Sequence, residues 1–167
     1  MIWTCPVCAD PLTLVERTLR CANNHCFDLA KEGYSNLLLA NQKNSKQPGD
    51  SKIMLRARRD FLQAGFYQPL ANQIVELIRP YVSAHSQFLD CGCGEGYYSE
   101  QVYKALQPSI SGIDIARDGV RLAAKRFKTL TLNSQSSANF AVASSFHLPL
   151  PSHQLDAVLQ VFAPVSE

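Results

Sequence analysis

The stretch that most constrains this chain is FLDCGCGEGYYSE, residues 88–100. An apolar run meets an acid, then three glycines at alternate positions, then a segment with helical spacing. Gly92, Gly94 and Gly96 carry no side chain, so backbone there can pass close to a ligand. Strand, glycine turn and helix make the first unit of an α/β fold, and the rest of the chain repeats it. SISGIDIA supplies a second strand ending in Asp114, 24 positions after Asp90. NFAVASS and LDAVLQVFAP read as a third and a fourth. Between them, YYSEQVYKAL is a helix with Tyr98, Val102, Ala105 and Leu106 on one side. DGVRLAAKRF is another, capped by Asp118, with Val120, Ala124 and Phe127 inward. The alternation predicts a Rossmann-like parallel sheet of about four strands with helices on both faces.

The N-terminal part has a different logic. Four of the six cysteines lie in the first 26 residues: Cys5, Cys8, Cys21 and Cys26, with His25 beside the last. CPVC is one knuckle and Cys21-x3-His25 offers another. Two short knuckles bring four ligands to one tetrahedral ion. The segment between them has a Pro turn and alternating Leu12 and Leu14, as a small hairpin would. So short a module lacks the core to fold unaided, and a metal supplies the missing stability. Cys5, Cys8, Cys21 and His25 are the chosen ligands of a structural zinc, and Cys26 is the rival fourth. The predicted organisation is a zinc ribbon over 1–40, a linker over 41–49 and an α/β domain from 50 to 167.

Helices precede the glycine turn. Asp50 or Ser51 caps the first, with Met54, Ala57, Phe61 and Ala64 on one face and Gly65 closing it. Pro69 opens the second, whose stripe is Leu70, Ile74, Leu77 and Ile78. Net charge is only +2, but positive charge is clustered. Lys43, Lys46, Lys52, Arg56, Arg58 and Arg59 form one group; Arg117, Arg121, Lys125, Arg126 and Lys128 form another. Such clusters follow a phosphate backbone or simply face solvent. No apolar run approaches the roughly 20 residues of a membrane span. The N-terminus also lacks a signal peptide's pattern, so a cytoplasmic protein with reduced cysteines is expected.

An acid at the end of the second strand is placed to hold ribose hydroxyls. Dinucleotide sites use G-x-G-x-x-G, whereas this turn reads G-x-G-x-G after Asp90. That pattern resembles motif I of class I S-adenosylmethionine-dependent methyltransferases. CPVC, FDLAKEGY, PGDS, ARRDFLQAGFYQPL, LDCGCGEGYY and the later ASS and LP, in this order, are together similar to the large-subunit rRNA guanine-N1 methyltransferases, the A-type family with an N-terminal zinc ribbon. The resemblance implies Cys5, Cys8, Cys21 and His25 as zinc ligands. It implies Tyr67, Glu95, Gly96 and Tyr97 near the cofactor, with Asp90 or Glu95 toward its methionine end. Asp114 is implied on ribose and Ser144 and Ser145 near adenine. Cys91 and Cys93 sit inside the turn as small filler rather than nucleophiles.

The implied reaction is methyl transfer to N1 of a guanine in a large-subunit rRNA hairpin, with Tyr97, Tyr98 and Phe162 as candidates to hold the base. No residue stands out as the catalytic base. Class I methyltransferases build a seven-stranded sheet, and this sequence has room for about four. A truncated or fragment form with impaired activity is therefore expected, with the fourth strand as an exposed edge that would encourage a homodimer. Two other functions remain open: a non-catalytic RNA-binding remnant that uses the ribbon with Arg58 and Arg59, and a small-molecule methyltransferase.

Overall fold

A computed structural model describes residues 2–43, 49–132 and 136–163. Lys46 and most of the linker, residues 133–135 of the polar connection, and Pro164 lie outside the described residues. The N-terminal module is a three-stranded antiparallel sheet of β1 (Thr13–Val15), β2 (Thr18–Arg20) and β3 (Cys26–Asp28). Of the two alternating leucines, Leu12 is buried and Leu14 is exposed.

The larger sheet holds β4 (Tyr34–Asn36), β5 (Gln87–Cys91), β6 (Ser109–Asp114), β7 (Ala138–Val142) and β8 (Ala157–Leu159). Its order is β4-β7-β6-β5-β8, and every pairing is parallel. The four strands expected from the sequence are all present, with β8 at an edge. The fifth, β4, comes from YSN, inside the span 1–40 read as zinc ribbon, and carries no long apolar run of its own.

Among the described residues four α-helices accompany the sheet: α1 (Lys52–Gln63), α2 (Gln68–Ile78), α3 (Tyr97–Leu106) and α4 (Arg117–Leu130). Ser51 caps α1, its Oγ accepting from the Met54 N–H at 3.3 Å. The expectation of helices on both faces does not hold among the described residues. One face carries α2, α3 and α4, through Val75, Val102, Val120 and Phe127 against Phe88, Ile110 and Phe140. The other face carries the zinc module, with Trp3, Leu12 and Leu19 packed with Leu89, Cys91, Ile113 and Ala141. Alternation along β5 explains the split, since Phe88 faces the helices and Leu89 the module. The Thr4 N–H also donates to the Pro149 carbonyl at 2.9 Å, joining the module to the connection between β7 and β8.

Three helix stripes differ from expectation. In α1 the buried residues are Leu55 and Leu62, while Met54 and Phe61 are about half exposed. In α2 they are Ala71 and Val75, and Leu77 is exposed. In α3 they are Tyr97, Ser99, Val102 and Tyr103, and Ala105 is exposed. Each helix carries apolar residues beside the expected stripe, so spacing alone leaves the rotation free by a residue. Helix α4 buries Val120, Ala124 and Phe127 as read, but its N-cap is Ala116, and Asp118 sits inside the first turn.

Candidate functional site

The glycine turn joins β5 to α3 at the carboxyl ends of the parallel strands, where open α/β sheets bind ligands. Gly92, Gly94 and Gly96 all have positive φ, at 86°, 51° and 79°. A Cβ on Gly92 would stand 2.3 Å from the Ala163 Cβ, so the turn also admits the chain leaving β8. Asp114, at the end of β6, accepts from the Gly94 N–H at 2.8 Å and from the Ala116 N–H at 2.7 Å. Its carboxylate thus ties the turn to the start of α4. Burial raises its pKa, and those two backbone donors oppose the rise.

Asp90 and Glu95, the two acids considered for the far end of a cofactor, are placed differently. Asp90 is buried in β5 and accepts from the Ser99 hydroxyl, which fixes the first turn of α3. Burial pushes its pKa up to about 6. Glu95 is also buried, but between two arginines. Arg59 Nε of α1 donates to Oε2 at 2.6 Å, and Arg126 Nη2 of α4 lies 3.2 Å from Oε1, off the line of a hydrogen bond. Cys91 and Cys93 are buried, and burial drives the Cys91 thiol to about 11 and Cys93 well above its ordinary value. Thiols held protonated fit the packing reading rather than nucleophilic chemistry.

Two adjoining cavities open over the turn, of about 290 and 260 Å³. They share walls at Arg58, Gly92, Gly94, Val161 and Phe162. The first reaches Asp114, Ala143, Ser144 and Ser145; the second reaches Tyr67, Glu95, Tyr97 and Tyr98. Among the expected cofactor residues, only Asp90 and Gly96 line neither. Ser144 is buried, and its Oγ accepts from the Phe146 N–H at 3.2 Å. The cleft fits an elongated, partly polar ligand. Gly94 faces open space where a side chain would stand, and the buried Tyr98 hydroxyl has no hydrogen-bond partner among the described residues. Burial raises the Tyr98 pKa to about 12, which keeps its hydroxyl a donor.

Sequence reading missed three contributors. Leu55 of α1 forms part of the cavity roof, Arg58 is held over both cavities by Asp50 at 2.8 Å, and Phe61 extends an aromatic wall to Tyr67 with ring centres 5.5 Å apart. The clustered arginines of α1 pointed to a charged surface, yet Arg58 and Arg59 both have internal partners.

The second site is the cysteine cluster. Ligand atoms of Cys5, Cys8, Cys21 and His25 all lie within 4.8 Å of one another. His25 Nδ1 is 3.5 Å from Cys5 Sγ and 3.4 Å from Cys21 Sγ, and Cys8 Sγ is 3.7 Å from Cys21 Sγ. Tetrahedral Zn–S and Zn–N bonds give edges of roughly 3.5–3.8 Å, so this donor set fits zinc. Cys26 is exposed and turned to the Asn24 carbonyl, outside the cluster.

The chain matches two family models. Residues 3–46 match the one described as RlmA, N-terminal, and residues 88–166 the one described as a methyltransferase domain. A 23S rRNA (guanine(748)-N(1))-methyltransferase of Streptomyces fradiae is 34% identical over 96% of this chain and 55% of its own length. A Bacillus subtilis protein, named as a candidate 23S rRNA (guanine-N1)-methyltransferase, is 32% identical over 98% of this chain and 57% of its own. The chain therefore spans somewhat more than half the length of these curated relatives. A solved structure from Methanococcus maripaludis, described as a candidate S-adenosyl-L-methionine-dependent methyltransferase, superposes with a TM-score of 0.56. It covers 71% of this chain and 55% of that one, at 17% identity, a likeness of fold alone. The chain thus joins an RlmA-type zinc ribbon to a methyltransferase domain, and its curated homologues are 23S rRNA (guanine-N1)-methyltransferases.

Proposed function

We propose that this chain binds S-adenosylmethionine over the glycine turn and serves methylation of guanine N1 in large-subunit ribosomal RNA. The observation that carries this reading is the cleft itself: Asp114 pins Gly94 while Gly94 faces open space between two cavities. The homologues supply the reaction class.

In this reading the cavity beside Asp114, Ser144 and Ser145 takes the adenosine. The cavity beside Tyr67, Glu95 and Tyr97 takes the methionine end, and the Tyr98 hydroxyl donates to it. Gly92 and Gly96 keep the turn open, and Asp90 supports it from beneath through Ser99. The cofactor supplies an already activated methyl group, so the chain's task is to position the acceptor and exclude water. Phe162, exposed beside Tyr67 at a ring separation of 5.8 Å, stands where an extruded base would stack. Cys5, Cys8, Cys21 and His25 hold a structural zinc. All four positions of a tetrahedron are filled by protein, so the ion has a folding role and no open position for chemistry.

No helix of the described residues is long and apolar enough to cross a membrane. An rRNA substrate fits a cytoplasmic protein, and β8, at the sheet edge among the described residues with Val158 exposed, suits pairing with a second copy. That edge also bounds the cleft through the chain that follows it.

Calorimetric titration of S-adenosylmethionine into the zinc-loaded chain tests the reading. Saturable binding, weakened about tenfold by Asp114→Ala, is expected from the loss of the Gly94 tether. Folded protein that takes up no cofactor overturns it. Labelled methyl delivered to small metabolites but not to 23S rRNA lacking the mark overturns the assigned substrate.

A further inference from the structure

The cofactor cleft continues into a second groove. Gly49, Asp50, Ile115 and Ala116 line both the cavity beside Asp114 and a much larger one of about 930 Å³. Lys52, Asp118 and Arg121 in turn join that cavity to a trough of about 540 Å³ between α1 and α4. Six cations line this continuous surface: Lys43, Lys52, Arg56, Arg59, Arg117 and Arg121. Three carboxylates share it: Asp50, Asp60 and Asp118. The whole chain has a net charge of +2, so the surplus of this one surface exceeds that of the molecule.

Internal pairing decides which of these charges remain for a partner. Arg59 is taken by Glu95, and Asp50 is occupied by Arg58. Arg117 donates to the Tyr34 hydroxyl at 3.1 Å and forms no ion pair with a described residue, while Asp118 and Glu32 lie near enough to act on its charge. Arg121 touches Asp118 only at 3.6 Å. Lys43, Lys52 and Arg56 are exposed and form no ion pair with a described residue. Of the open cations, Lys52, Arg56 and Arg121 line the trough and Lys43 and Arg117 the larger cavity, whereas Arg58 and Arg59 are each held by a carboxylate.

We propose that the α1–α4 trough is the track on which a single RNA strand lays its phosphates as it enters the cofactor cleft, with Lys52, Arg56 and Arg121 as the main contacts. This rests on the rRNA reading above and gives its substrate a path. The trough contributes point charges and a long, open floor with few apolar side chains. That suits a phosphodiester backbone rather than a protein partner, whose interface core would be apolar. Contacts of this kind position a strand without reading its sequence.

The experiment measures binding of a labelled large-subunit rRNA hairpin with a single-stranded flank to the zinc-loaded chain, from 50 to 300 mM salt, for three proteins. For a single strand, log K falls with log salt by about 0.7 per phosphate neutralised. Lys52→Gln with Arg121→Gln should therefore flatten the slope by about 1.4 and weaken binding at low salt equally for unrelated sequences. S-adenosylmethionine titration of the double variant should match the parent. Arg20→Gln, at an exposed position in the central strand of the zinc module, should leave the slope unchanged. An unchanged slope in the double variant overturns the proposal, as does a slope change confined to Arg20→Gln, or a parent chain that binds no RNA. Failure of the parent to bind S-adenosylmethionine is a separate result that strikes the methyltransferase reading.

Discussion

Gly119 of α4 lies directly against Gly94 of the glycine turn: a Cβ on Gly119 would stand 3.0 Å from the Gly94 carbonyl oxygen. A helix-interior glycine ordinarily costs about 1 kcal/mol relative to alanine. Here the neighbour is backbone and cannot rotate away. Gly119→Ala should therefore lower stability by about 1–2 kcal/mol despite its better helix propensity, because overpacking outweighs it. The displaced turn should weaken S-adenosylmethionine binding about tenfold. Urea denaturation and calorimetry check the two effects, and a variant more stable than the parent would refute the contact.

Asp90 gives the fold a distinctive pH dependence. Burial raises its carboxyl from 3.8 to about 6, so between these values the folded state binds the extra proton. Stability from this group accordingly falls as pH rises from about 4 to 6, then levels off. The difference amounts to about 3 kcal/mol. Asp90→Asn can still accept from Ser99 through its amide oxygen and carries no proton equilibrium. It should gain on the parent steadily across pH 4–6 in urea midpoints. Parallel midpoint curves for the two proteins would show that Asp90 does not titrate in this range.

Glu95 ties α1 to the turn through Arg59 and to α4 through Arg126. Glu95→Gln keeps the shape but removes the charge, leaving Arg59 without its carboxylate. Arg59 is a third exposed and can turn to water, so the loss should be about 2 kcal/mol, below that of a fully buried pair. Because α1 buries only Leu55 and Leu62, its amides should exchange faster in the variant while those of β5 and β6 stay protected. Equal acceleration in both regions would mean that Glu95 serves global stability and is no latch for α1.

Much of this was legible in the sequence because local chemistry specifies it. The strands around Leu89 and Ala141 carry short apolar runs, Ile110 and Ile113 bracket the small residues Ser111 and Gly112 in the strand between them, and the Cys and His spacing points to one ion. Rotation of the helices was not legible. Both Leu70 and Ala71 satisfy a helical stripe, and only the tight approach of α2 to α3 selects Ala71. Glu95 was read as a ligand group because it sits in the turn, yet its partners Arg59 and Arg126 are 36 residues before and 31 after it. The zinc module's seat on the sheet was equally hidden. Nothing in β5 alone says whether Leu89 meets a helix or Trp3.

That seat makes the metal a determinant of the whole fold. Cys5 and Cys21, two of the cluster, pack in the same apolar core as Leu89 and Ile113 of the central strands. Losing the ion releases the knuckles, and with them the cover of one sheet face. Trp3, the chain's single tryptophan, is buried in that interface and reports on it. Chelation, or Cys8→Ala, should shift its emission to the red and lower the melting temperature by roughly 10 °C, the equivalent of about 3 kcal/mol for a chain of this size. Amides of β5 and β6 should lose protection together with those of the ribbon. Cofactor binding should weaken in step, because the turn hangs from β5. If the tryptophan shifts while β5 stays protected and cofactor affinity is unchanged, the module is an independent appendage and its packing on the sheet contributes nothing to the site.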